Sequence, residues 1–114
     1  MTFKYTDRKK MIGSSYIGTL LISYSKLVEI FGDANSGESE DKKVYKEWDL
    51  YFPSKKTYVS IYNYKNGPNY PKGKPIEDIT SWSIGGSSIK SFTMLCEFLS
   101  EKAKLPIDYT IKIN

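Results

Sequence analysis

The sequence predicts an α+β domain: an antiparallel sheet of about four to five strands with two helices packed on one face, in the order β-α-β-β-β-α-β. Three observations carry that expectation. Two segments place apolar residues at i, i+3, i+4 and i+7, the spacing of one helical face. Two segments flanking Pro53-Ser54-Lys55-Lys56 alternate apolar and polar residues, as a hairpin does. The 114 residues, 39% hydrophobic and 26% charged, have the size and composition of a single folded domain spanning 1–114.

Residues 1–11 are polar and basic and are expected to be loosely held. Residues 16–22 are rich in branched and apolar side chains and read as a buried strand. Next, Tyr24, Leu27, Val28 and Phe31 share one helical face. Ser23 or Ser25 is placed to cap the free amides of that helix, and Gly32 suits the left-handed position that ends it. Residues 33–43 form a polar loop. Its acidic cluster, Glu38, Glu40 and Asp41, lacks calcium-loop spacing and reads as a mobile surface segment.

In 44–52, Val44, Trp48, Leu50 and Phe52 mark a core face interrupted by Lys46, while Tyr45, Glu47, Asp49 and Tyr51 are expected to face outward. In the return strand, 57–65, Val59 and Ile61 take one face, and Tyr58, Ser60, Tyr62 and Tyr64 the other. Residues 66–79 carry Gly67, Pro68, Pro71, Gly73 and Pro75, which deny them a helix or a central strand. Loops of this length in compact domains tend to be functional or mobile. Residues 80–84 alternate again, with Trp82 and Ile84 on one face. Gly85-Gly86-Ser87-Ser88 opens the longest helix, about 89–104, with the stripe Phe92, Leu95, Cys96, Leu99 and Ala103; Pro106 stops it. Residues 107–113 alternate as a last strand.

Composition narrows the chemistry. Histidine is absent, which removes the commonest general base and metal ligand near neutral pH. Cys96 is the single cysteine, so neither an intrachain disulfide nor a thiolate metal cluster can form. Its place in the helical stripe reads as a buried core thiol, at home in a reducing compartment. No catalytic residue, metal or cofactor is expected, and the chain reads as a non-enzyme. The net charge of +4 rests on seventeen basic residues of which Arg8 is the one arginine. Lysine is a poor reader of base edges, so sequence-specific nucleic-acid binding is not expected. No apolar run approaches the roughly 20 residues of a membrane span, and the N-terminus shows no apolar signal region.

Two candidate sites stand out. In the first, Trp82 leads through Ile84 to Gly85, Gly86, Ser87 and Ser88 at a helix start. First-turn amides lack intrahelical partners and the helix dipole is positive there, so the arrangement can hold an anion. The same serines equally suit plain helix capping, and the spacing matches neither the dinucleotide fingerprint nor the P-loop. The second is the tyrosine face of the hairpin, Tyr58, Tyr62 and Tyr64, with Lys65 and Tyr70 beyond. Tyrosine is enriched at interfaces and can stack bases, though strand tyrosines also stabilise sheets from within. Glu47 and Asp49, two carboxylates on one strand face, read as solvated charges.

The run Ser23-Tyr24-Ser25-Lys26-Leu27-Val28-Glu29-Ile30-Phe31-Gly32, with Glu47-Trp48, Ile61-Tyr62-Asn63-Tyr64-Lys65 and Trp82-Ser83-Ile84-Gly85-Gly86-Ser87, resembles a family of small accessory proteins of bacteriophages and large DNA viruses. The pattern covers about residues 12–88. Family members often carry histidine near the Trp-x-Ile-Gly-Gly motif. This chain has none, so no catalytic histidine carries over. The resemblance implies a viral accessory protein in the host cytoplasm and implies no mechanism. The expected function is a non-catalytic protein that inhibits or sequesters a host defence factor by protein–protein contact, with exposed strand edges leaving homo-oligomerisation open. The alternative is a protein that binds or sequesters a phosphorylated small molecule such as a nucleotide signal. There the Gly85–Ser88 helix start would hold phosphate, Tyr62, Tyr64 and Trp82 would stack the base, and Lys65 would balance charge.

Overall fold

The computed structural model describes residues 1–11, 13–103 and 108–111. Its centre is an open antiparallel sheet. In chain order the strands are β1 (Lys4–Tyr5), β2 (Ser15–Leu21), β3 (Ser36–Gly37), β4 (Lys46–Phe52), β5 (Thr57–Tyr62), β6 (Ser81–Gly86) and β7 (Asp108–Ile111). They lie in the order β1-β4-β5-β6-β2-β7, and β3 also pairs with β4. Two helices, α1 (Tyr24–Phe31) and α2 (Ile89–Ala103), complete the α+β fold. Beyond the expected strands the sheet gains two two-residue pieces, β1 and β3. They lie end to end along β4, where Lys4 faces Tyr51 and Ser36 faces Glu47. Asn35 fills the gap between them: its side chain accepts from the Asp49 amide at 2.8 Å and donates to the carbonyls of Asp49 and Thr6. The final strand pairs with β2 over 108–111, while the rest of the expected 107–113 lies outside the described residues.

The alternating pattern of the hairpin sets one face of the sheet against the helices. Trp48, Leu50, Phe52, Val59, Ile61, Trp82, Ile84 and Leu20 are all fully buried there. From α1 come Leu27 and Phe31, and from α2 come Phe92, Leu95, Phe98 and Leu99. Aromatic rings order this layer: Trp48 and Trp82 meet edge to face at 5.4 Å, and Phe31 stacks on Phe98 at 5.7 Å. Both indoles find acceptors, Trp48 Nε1 on the Gly32 carbonyl and Trp82 Nε1 on that of Ile22. Helix α1 begins where the Ser23 hydroxyl accepts from the Lys26 amide, and it ends at Gly32 with φ of 79°. Cys96, expected inside the core, sits half-buried at its margin, where burial pushes the thiol up to about 11.

The opening segment, polar as its sequence is, starts on the helix side, passes along the edge of β4 and turns onto the other face of the sheet. Phe3 packs against Phe31 and Phe98, the Tyr5 hydroxyl donates to the Phe31 carbonyl, and a short 3-10 turn, Arg8–Met11, buries Met11. Backbone pairing of β1 with β4 and these anchors hold a stretch whose composition points to a loose tail. It covers part of the face that the hairpin pattern marks as outward. Glu47 and Asp49, read from the sequence as solvated, are therefore buried, at 5% and 0% exposure.

One buried polar residue closes the mouth of the hairpin. Asn63 Oδ1 accepts from the amides of Tyr45 and Lys46, at 2.9 and 2.8 Å, and its Nδ2 donates to Asn66. Asn63→Leu strands both amides and is expected to lower the urea-unfolding free energy by about 2 kcal/mol. Asn63→Asp keeps the acceptor and should lose less.

Candidate functional site

With both helices on one side, the functional possibilities lie on the opposite face of the sheet. Register decides which side chains meet there. Glu47 stands opposite Tyr62, Asp49 opposite Ser60, Ser60 opposite Gly85 and Tyr62 opposite Ser83. On β2 the register slips between Tyr16 and Gly18, with Tyr16 opposite Gly85 and Thr19 opposite Ser83. Simple alternation would send Tyr16 to the same face as Leu20. The inserted residue instead turns Tyr16 to the polar face, where its hydroxyl meets that of Thr19 at 2.6 Å.

Two adjoining hollows result, with Tyr62 in the wall of both. The first, about 530 Å³, is lined by Tyr16, Tyr62, Tyr64 and Ser83 and lies open. The rings of Tyr62 and Tyr64 meet edge to face at 6.4 Å, and Lys65 Nζ lies 5.3 Å from the Tyr64 ring centre. Tyr16 and Tyr64 are 38% and 46% exposed, large aromatic surface to leave in water.

The second hollow, about 360 Å³, runs beneath the opening segment and is lined by Arg8, Met11, Ser14, Ser15, Glu47, Ser60, Tyr62 and Gly85. Gly85 is its floor: a Cβ there would lie 2.5 Å from Ser60 Oγ. Arg8 Nη1 reaches Glu47 Oε1 at 3.1 Å. Burial, with the neighbouring Asp49 carboxylate, pushes the Glu47 carboxyl from 4.5 up to about 8, against the opposing pull of Arg8. Neither oxygen of Asp49 has a donor among the described residues unless Glu47 carries a proton, and the Glu47 acid is then that donor. The Glu47 acid therefore keeps its proton at neutral pH, beside the buried Asp49. Tyr62 is also raised, chiefly by burial and then by the charge of Glu47.

A third hollow of about 230 Å³ lies where α2 begins and is lined in part by Lys10, Lys56, Lys90, Tyr58, Ser87 and Ser88.

The eight candidate residues therefore divide. Tyr62 and Tyr64 come together on the open face with Lys65 beside them, and Gly85 floors the acidic hollow. Ser87 and Ser88 are exposed among the lysines. Trp82 is fully buried on the opposite face with its indole N–H committed to Ile22, so it has no ring face to offer a ligand. Gly86 is packed: a Cβ would lie 2.8 Å from Ser91 Cβ and 2.9 Å from Ile17 Cδ1. Sequence reasoning passed over Arg8, Tyr16 and Ser60 as site residues, and took Glu47 and Asp49 for solvated charges. For the carboxylates a signal was present, since two like charges on one face of a strand whose other face is Trp48 and Leu50 invite a search for a cover.

Among the described residues no cluster of three or more acidic or thiol ligands could hold a metal ion, and no helix is long and apolar enough to cross a membrane. Comparison with protein-family models, with curated proteins and with solved structures finds no match to this chain.

Proposed function

We propose that this chain is a non-catalytic binding protein that grips a partner protein on the open face around Tyr16, Tyr62 and Tyr64, and so inhibits or sequesters it. The observation that carries this reading is the tyrosine-walled hollow itself: three tyrosines converge on a sheet face that the helices leave uncovered. Tyrosine offers rigid contact area with a polar tip at low entropic cost, the composition of interface hot spots. The resemblance to viral accessory proteins makes a host factor in the host cytoplasm the expected target. A binding role also suits the available reactive groups. The one thiol is held in its neutral form by burial, and of the carboxyl pair only Glu47 lines a cavity, whereas paired-carboxylate catalysis needs both groups at the substrate.

The test is capture of a partner from host lysate by immobilised protein, followed by affinity measurement with the purified partner. Tyr62→Ala and Tyr64→Ala are each expected to weaken binding tenfold or more, as truncation of a hot-spot residue does. Unchanged affinity in both variants, or turnover of a substrate by the protein, overturns the reading.

The three lysines around Ser87 and Ser88 favour a second reading, a phosphorylated small ligand at the start of α2. Tyr58, which lines that hollow, takes the stacking role that Trp82 cannot. Gly86→Asp would disturb packing whatever binds, so Lys90→Glu is the informative variant. A thermal shift with nucleotides that disappears in Lys90→Glu supports this reading.

A further inference from the structure

The acidic hollow holds an imbalance that the tyrosine face does not explain. Glu47 and Asp49 are buried side by side, yet the one cation at hand among the described residues, Arg8, contacts a single oxygen of Glu47 and keeps its side chain 60% exposed. Asp49 is fully buried with neither oxygen partnered by a fixed donor among the described residues. Even with the Glu47 acid donating to it, one Asp49 oxygen has no donor among the described residues. Buried carboxylates without donors are costly and rare, and one held behind a cavity wall calls for a compensating charge.

We propose that this hollow is a receptor for an organic cation, an alkylguanidinium or alkylammonium group, which it seats against Glu47, with the buried Asp49 carboxylate behind it, in place of Arg8. The walls select the class of guest. A bare hard cation needs six or more oxygen ligands, but two carboxyls are all the acid present, and about 360 Å³ is far larger than an ion requires. A side-chain-sized cation fits better. Its charged head meets the Glu47 carboxyl, the hydroxyl of Ser60 accepts a further hydrogen bond, and its alkyl stem lies against Met11 and the ring of Tyr62. Gly85, whose missing Cβ makes room for Ser60 Oγ, forms the floor of the hollow.

Arg8 is the internal occupant. It sits on a short turn of the opening segment, mostly in solvent, so it can swing out when a guest arrives. The guest can be a free amine or guanidine, or a lysine or arginine of a partner docked on the adjoining tyrosines, since Tyr62 borders both hollows. The site does not depend on the partner-binding reading: a free alkylguanidinium binds whether or not a protein docks.

Entry of the cation also has a proton signature. The groups facing Glu47 are Asp49 on its own strand, Arg8 on the opening segment and Tyr62 on β5, with Tyr16 and Tyr64 facing Tyr62 in turn. Near neutral pH the Glu47 proton must leave as the guest enters, so affinity rises with pH until Glu47 ionises on its own near 8. A guanidinium stays charged throughout that range, which isolates the protein's titration from the probe's.

The experiment titrates n-butylguanidinium and an arginine-containing peptide into the full chain, following the backbone amide signals of Ser60, Tyr62 and Gly85 by NMR. Expected are saturable shifts at these amides, affinity rising several-fold and up to about tenfold per pH unit between 6 and 8, and binding tenfold or more tighter in Arg8→Ala. Glu47→Gln and Asp49→Asn, which keep shape and remove charge, should each bind at least tenfold more weakly. Free probe binding as tightly as peptide assigns the guest as a small molecule, and a large preference for peptide assigns it as a partner side chain; either supports the site. Absence of shifts in Arg8→Ala at millimolar probe overturns it, as does undiminished binding in a folded Glu47→Gln protein. Loss of partner capture with retained n-butylguanidinium binding would count against the tyrosine face alone.

Discussion

Trp82→Ala is expected to cost about 3–5 kcal/mol of unfolding free energy, a large fraction of what a domain of this size has. The indole is fully buried, edge to face with Trp48 and stacked on Tyr24 with ring centres 6.1 Å apart. Removing it opens a cavity at the centre of the sheet and leaves the Ile22 carbonyl without its donor. Urea denaturation measures the loss directly, and the melting temperature should fall by roughly 15 °C. A loss below 1 kcal/mol would mean that the ring is not the keystone its contacts describe. The comparison with Tyr64→Ala is instructive, because Tyr64 is 46% exposed and its removal should leave stability nearly unchanged while weakening partner binding.

Stability is expected to fall as pH rises from about 5 to about 8. Most acidic groups act in the opposite direction, so the sign is diagnostic. The folded chain holds the Glu47 proton up to about 8, whereas the unfolded chain releases it near 4.5. Between those values the folded state binds more protons than the unfolded state, so each step up in pH favours unfolding. The stabilisation is complete below the unfolded value and is gone above the folded one. Allowing for solvent that reaches the rim of the cavity, the change is on the order of 2–3 kcal/mol. Urea unfolding at pH 5, 6.5 and 8 reads it out. Glu47→Gln should flatten the profile, and Asp49→Asn, by removing the neighbouring charge, should shrink it. A profile that rises through this window in the wild-type protein would contradict a buried Glu47 that keeps its proton up to about 8.

The helix-facing half of the molecule was legible because its order is local. Trp48, Leu50 and Phe52 alternate along one strand, and Phe92, Leu95 and Leu99 recur along one helix; each pattern reports burial without reference to distant chain. The opposite face was not legible, for two physical reasons. The burial of Glu47 and Asp49 comes from a cover some forty residues away in sequence, and composition gave that cover the look of a loose tail. The orientation of Tyr16 depends on the slip beside Ile17, and one extra residue reverses which face every earlier side chain takes. The glycine–serine helix start was visible as a motif. Only packing reveals that Gly86 serves closeness to Ser91 and Ile17 and that Trp82 serves the core.

The outer side of β4 carries a further consequence. Laid bare, a seven-residue strand of this kind would present a row of free amides and carbonyls, the template on which sheets from separate molecules fuse into fibrils. Here β1 and β3 occupy its two ends and the carboxamide of Asn35 stands in for the missing backbone between them. The short strands and one amide side chain thus act as insulation, keeping a strand rich in large apolar residues from polymerising at high expression.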